Sequence, residues 1–349
     1  PNIATLPWVF LYRRLFSVKC VFSRAREGKI ELFDKALFFG TMLNAAEQVA
    51  ILYIVVAVGV LADKTGLYTE KTARLCTGLL FYIITPNVIV RSFLEIEYSS
   101  ETAKKLFIAI GCGLLIHAVA AVINIPFFRK SDRHKGAVLK YACVYGNCGY
   151  MALPLANAVL GSEGVFYCSA VIMAFQMFVF THGVFIMEEK SEGEKRGFAF
   201  KKLIINPGTL AVLVGLPLFL LNVNLPDVIY QPVNYIASMN TPLAMIIFGT
   251  YLSKVDVKKF FSDGRIFIVA LFKLIVLPLV MIAVFKLFGL SGTLLSALVI
   301  SASAPTANNT VMFAAQYNRD YVFASQTVAI VSLLAIVTMP FMIAFAGAL

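Results

Sequence analysis

Charge is what this sequence has least of. Only 14% of its 349 residues are Asp, Glu, Lys or Arg, against about 25% in ordinary soluble domains, while 60% are hydrophobic and the mean hydropathy is +0.83. A soluble fold cannot bury that much apolar surface. Catalytic signatures are missing too: there is no GxSxG, no HExxH, no Walker A and no pair of aspartates within an apolar stretch, which excludes the familiar intramembrane hydrolases. The chain is not expected to be an enzyme. Of six cysteines, Cys76, Cys112, Cys143, Cys148 and Cys168 lie inside apolar stretches without CxxC spacing, so free thiols are expected, with no metal and no disulfide framework. The net charge of +11 lacks an aromatic-interleaved basic stripe, which excludes a nucleic-acid partner. No Asp or Glu occupies the centre of an apolar stretch, which argues against a carboxylate relay for protons or sodium.

What the sequence does have is apolar runs near twenty residues, each long enough to cross a hydrocarbon core of about 30 Å as a helix. The hydropathy pattern predicts ten: Ala45–Ala62, Leu75–Phe93, Leu106–Phe128, Val138–Leu160, Val165–Met187, Leu203–Leu221, Val233–Leu252, Ile266–Phe288, Leu294–Ala315 and Val322–Ala346. Backbone groups in lipid must be satisfied internally, so an all-α integral membrane protein is implied.

The connections between these runs differ in charge. Those after spans one, three, five, seven and nine carry Lys64, Lys71, Arg74, Arg129, Lys130, Arg133, Lys135, Lys190, Lys195, Arg196, Lys201, Lys202, Lys254, Lys258, Lys259, Arg265 and Arg319, seventeen in all, whereas the others carry two, Lys104 and Lys105. By the positive-inside rule the odd connections face the cytoplasm and both ends of the ten-helix unit face outside, in the cell membrane. Residues 1–41 do not fit, because Arg13, Arg14, Lys19, Arg24, Arg26, Lys29 and Lys35 would then lie outside. The expectation is that the native unit begins at Met42 and that 1–41 is an extension foreign to it; an interfacial amphipathic anchor is the alternative. The polar stretch 188–202 is expected to link two five-helix halves, 42–187 and 203–349.

Those halves share landmarks. Thr85-Pro86 in span two and Thr241-Pro242 in span seven are 156 residues apart; Asn147 in span four and Pro305 in span nine are 158 apart. Two landmarks at nearly one offset indicate a repeat, and an odd number of spans per half makes it inverted. Spans four and nine carry Tyr145-Gly146-Asn147-Cys148-Gly149 ahead of Pro154, and Ser301-Ala302-Ser303-Ala304-Pro305-Thr306-Ala307-Asn308-Asn309. Prolines that cannot donate, and glycines that unwind cheaply, predict that both helices are broken and cross. Matched breaks in corresponding spans are the pattern of a secondary transporter, and they fit a channel less well. A receptor built on the same frame is the main reading from another class.

At these residues the chain resembles the auxin efflux carrier family, which includes bacterial organic-anion permeases and PIN-type exporters. The residues that carry the resemblance are Gly146-Asn147-Cys148-Gly149, Leu153-Pro154-Leu155, Gly161-Ser162-Glu163-Gly164, Asn206-Pro207, Ala304-Pro305-Thr306-Ala307-Asn308, Gln316-Tyr317 and Met339-Pro340. The resemblance implies a ten-helix inverted repeat similar to bile-acid symporters, and export of an organic acid. Leu79–Ile84 lacks the lysine of the PIN branch, which sets auxin itself apart.

A small organic anion at this depth needs donors. The amides following Pro154 and Pro305 are expected to offer half-helix N-termini, with Asn147, Thr306, Asn308 and Asn309 adding side chains and Gly146 and Gly149 opening the backbone. Asn87 and Asn240 could form a second polar shell, although packing is the favoured reading of both. Lys273, eight residues into span eight, is expected to snorkel to lipid phosphate, and His117 and His182 to make interhelical bonds. No cofactor is called for; the alternative to an exporter is a sodium-coupled organic-anion symporter of the bile-acid-symporter type, so sodium, like pairing into a homodimer, is left open, lipid being the obligatory surround. The orientation is testable: a cysteine introduced at Ser191 should react with an impermeant maleimide only from the cytoplasmic side, and labelling from outside would invert the topology.

Overall fold

The computed structural model describes residues 43, 46–128, 131–188, 207–253 and 263–348. The 1–41 extension and nearly all of the 188–202 linker lie outside the described residues. In chain order the helices are α1 Ala46–Lys64, α2 Lys71–Leu94, α3 Ser100–Asn124, α4 Arg133–Val144, α5 Cys148–Met187, α6 Pro207–Leu220, α7 Asp227–Ser238, α8 Asn240–Ser253, α9 Gly264–Leu287, α10 Gly292–Ser303, α11 Asn309–Gln316 and α12 Tyr321–Ala348. Among the described residues there is no strand beyond one isolated bridge. Six of these helices, α1, α2, α3, α5, α9 and α12, are long and apolar enough to cross a membrane, and α6 and α10 are shorter apolar helices.

Local chemistry sets the helix ends. Ser99 Oγ accepts from Thr102 N at 3.0 Å, so α3 starts at Ser100, ahead of the Leu106 expected from hydropathy. Asp132 Oδ2 accepts from His134 N at 3.0 Å and Lys135 N at 3.2 Å, capping α4; the Lys135 and His134 amides hold that carboxyl below its ordinary range. The run expected as one span over Val233–Leu252 is two helices, α7 and α8, meeting at Met239. At 40 residues, α5 is far longer than one crossing of about 30 Å at 1.5 Å per residue requires. Gly161, at φ 65° and ψ −157°, turns the chain inside it, a conformation that favours glycine.

Prolines inside these helices are accommodated in a recurring way. A single π turn, Leu80–Ile84, Cys148–Ala152 or Phe272–Val276, directly precedes the helical segment that has Pro86, Pro154 or Pro278 as its second residue. Proline lacks the N–H that would bond four residues back, and its ring collides with that carbonyl. The wider π turn moves the carbonyl aside, so the helix bends without opening.

The core is mainly apolar, with α3 packed on α5, α2 on α6 and α10 on α5 and α12. One contact leaves no room for side chains. A Cβ on Gly59 of α1 would strike the Ile246 carbonyl of α8, and one on Gly249 would strike the Val56 carbonyl and stand 2.9 Å from the Gly59 Cα. Small residues that let helix backbones touch are a principal source of association in lipid, where apolar burial drives nothing. Gly249→Ala must therefore push two backbones apart, and overpacking of this kind costs about 1–3 kcal/mol. Thermal unfolding of the purified variant should start well below that of the wild type; an unchanged midpoint would mean that this contact is looser than described.

Candidate functional site

The helix that starts at Arg133 stops at Val144, and the one that starts at Gly292 stops at Ser303; both resume a few residues later, at Cys148 and Asn309. Backbone left unpaired inside an apolar bundle is costly, and here each break satisfies the other. Asn147 N donates to Pro305 O at 2.6 Å and Ala307 N donates to Tyr145 O at 3.0 Å, which makes an antiparallel bridge of Gly146 with Thr306. Thr306 Oγ1 donates to Ala142 O at 3.1 Å, tying the second break to the end of α4. Asn147, Thr306 and Pro305 are all buried.

Placement of the prolines differs from the sequence expectation for the first break. Pro305 lies in the opened segment itself, but Pro154 lies inside α5, beyond the Cys148–Ala152 π turn that absorbs it. The first free helix terminus therefore follows Asn147, not Pro154. Gly146 is present for space: a methyl there would sit 3.0 Å from Lys273 Nζ and 3.1 Å from Ala304 O. Gly149 has open space around its Cβ position.

The bridge leaves donors and acceptors over. Asn147 Oδ1 accepts from Tyr150 N at 3.3 Å, capping α5, while its buried Nδ2 has no partner. On the second break Asn308 precedes α11 without a side-chain cap, and Asn309 Oδ1 and Thr310 Oγ1 are buried without partners. Asn308 and Asn309 are half-buried. An aromatic wall backs the first break. Tyr145 packs on Tyr141 at 4.2 Å between centroids, and on Phe175 and His117; its hydroxyl donates to Phe178 O at 2.9 Å and lies 3.0 Å from His182 Nδ1. A small apolar cleft lined by Met151, Leu155, Met245 and Met339 adjoins the start of α5.

Two residues, Asn87 and Lys273, stand elsewhere than expected, and Asn240 takes the packing role favoured for it. Asn87 Nδ2 donates to Ile83 O of its own helix at 2.8 Å in exposed surroundings, so it belongs to no second shell. Asn240, 3% exposed, accepts from Thr85 Oγ1 at 3.4 Å and joins the two Thr-Pro regions. Lys273 does not snorkel: it is 1% exposed, and its Nζ donates to Val144 O, the last carbonyl of α4, at 3.4 Å. Hydropathy placed Lys273 near an interface but could not say which side of α9 it occupies; the rarity of an ionisable residue inside a span was the one signal that could have found it. His117 bonds Gly113 O of its own helix at 2.7 Å, whereas His182 makes its bond to Tyr145, between segments.

Six helices long and apolar enough to cross a membrane, packed around two mutually bridged breaks, mark a multi-pass membrane protein. The membrane transport protein family, which is that of the auxin efflux carriers, matches residues 44–343, and this chain belongs to it. An uncharacterized transporter of Methanocaldococcus jannaschii is 25% identical over 282 residues, 78% of this chain and 90% of its own length. A Rhizobium meliloti protein provisionally named a malonate transporter is 24% identical over 237 residues, 66% of this chain and 73% of its own. Auxin efflux carrier component 8 of Arabidopsis thaliana is 29% identical over 124 residues, 34% of each chain. The family and these relatives are transporters, not enzymes.

Proposed function

We propose that this chain is a secondary transporter that moves an organic anion, a carboxylate, outward by alternating access. In this reading it has ten spans in two inverted five-helix repeats, 42–187 and 203–349. The long α5 counts as parts of two spans divided at Gly161, α4 with the start of α5 as the broken fourth, α7 with α8 as the seventh, and α10 with α11 as the broken ninth. Its seventeen-to-two charge asymmetry orients it in the cell membrane with the odd connections inside. Arg91, in the second span, is held by Glu95 at 3.5 Å and adds little free charge to the other side.

The observation that carries this reading is the bridged pair of breaks with a buried, unpartnered Asn147 amide beside it. A helix N-terminus carries a partial positive charge and spare N–H groups, so the starts of α5 and α11 suit a carboxylate without a full charge having to move through lipid. The side-chain donors of Asn147 and Asn308 complete the set. Malonate is the first probe to try, because the Rhizobium meliloti relative bears its name.

Labelled malonate binding to the purified, monodisperse chain tests the site. Removing a charge-assisted hydrogen bond costs about 1.5–3 kcal/mol, so Asn147→Ala and Asn308→Ala should each bind about ten- to a hundredfold more weakly. Asn147→Ala also removes the cap of α5, worth about 1 kcal/mol of stability; Asn147→Ser keeps a capping oxygen and loses only the amide donor. The serine variant should thus fold like the wild type and still bind weakly. Unchanged affinity at both positions would move the site away from the breaks, and equal losses of stability and affinity would make these residues packing contacts.

A further inference from the structure

Lys273 is a lysine sealed inside the bundle with no carboxylate within ion-pair distance among the described residues. Its one hydrogen bond, to Val144 O at 3.4 Å, is long, and an ammonium carries three donors. Its titratable neighbours are the thiols of Cys143 and Cys148 and the His117 ring. A lone lysine in an apolar interior is unfavourable unless something offsets it.

The offset is in the backbone. Val144 closes α4, and Ala304 follows the last residue of α10; these are the C-terminal ends of the two half-helices that meet at the site. Each such end carries about half a negative charge on carbonyls that lack helical partners. Lys273 Nζ bonds the first, and it faces Ala304 O across bare Gly146, both lying near 3 Å from where a methyl on that glycine would be. The two positive N-terminal ends, at Cys148 and Asn309, are left for other use.

We propose that Lys273 is a tethered cation: its ammonium fills, permanently, the place between the two half-helix C-termini where a free monovalent cation would otherwise have to bind. Lys273 is then a positioning residue. It holds the negative ends together and so keeps the positive ends aimed at the anion, and it makes the carrier independent of sodium. The transport consequence rests on the organic-anion reading above; the cation site itself does not.

The test uses the purified full chain and its Lys273→Ala and Lys273→Met variants, unfolded by heat in choline, sodium or ammonium chloride at one ionic strength. Wild type should unfold at the same temperature in all three salts. Lys273→Ala, whose truncation opens room for an ion, should unfold earlier in choline and recover about 2–4 °C in ammonium at ten times its dissociation constant. Lys273→Met, which fills the space without charge, should not respond. Malonate uptake by the alanine variant in proteoliposomes should be rescued by ammonium in parallel. An alanine variant indifferent to both cations, or a methionine variant that responds equally, overturns the proposal. Should neither variant fold, a sodium-dependent rise in wild-type stability overturns it, and equal stability in sodium and choline upholds it. If wild type takes up no malonate, the substrate reading fails while the thermal arm still decides the cation site.

Discussion

Everything at the centre of this molecule follows from the cost of an unpaired peptide group where there is no water. A break in an apolar helix exposes such groups on both sides of the gap, and at membrane depth they must be met by protein or by a ligand. Two breaks placed together meet part of each other's need through the bonds of Asn147 with Pro305 and Ala307 with Tyr145. The remainder is sorted by polarity. Lys273 Nζ meets the carbonyl end of α4 at Val144, while the Nδ2 of Asn147, at the start of α5, stays spare. In the proposed reading the amide ends are left to an anion.

The surrounding architecture keeps that arrangement from relaxing. Tyr145 and Tyr141 wall one side of the first break, and Thr306 anchors the second to α4. Where α1 and α8 meet at Gly59 and Gly249 the helix backbones touch, so there is no compressible layer of side chains between them. The π turns ahead of Pro86, Pro154 and Pro278 accommodate these prolines without breaking their helices.

Much of this is legible in the sequence because the membrane narrows the choices. Apolar length gives helices, and a run of Gly, Asn and Ser inside an apolar stretch can only be a break, so the segments at Tyr145–Gly149 and Ala304–Asn309 declare themselves. The exact opening does not. Pro154 looked like the cause of the first break, but a π turn can absorb a proline, and whether one forms depends on neighbours far away in sequence. Direction is equally hidden: Asn87 and Asn240 each adjoin a Thr-Pro pair, one after it and one before, yet one bonds its own helix and the other bonds Thr85. Lys273 was the largest loss, since its role depends on facing Val144, a contact 129 residues away.

Counterflow decides the central claim most directly. Proteoliposomes holding the wild-type chain, loaded with unlabelled carboxylate and diluted into a trace of the same labelled compound, should accumulate label transiently above equilibrium without sodium. A panel of mono- and dicarboxylates beginning with malonate would show which acid fits. A carrier that alternates access to one anion site must produce this overshoot for at least one of them; its absence for every carboxylate, in a preparation shown to be folded, would contradict the account.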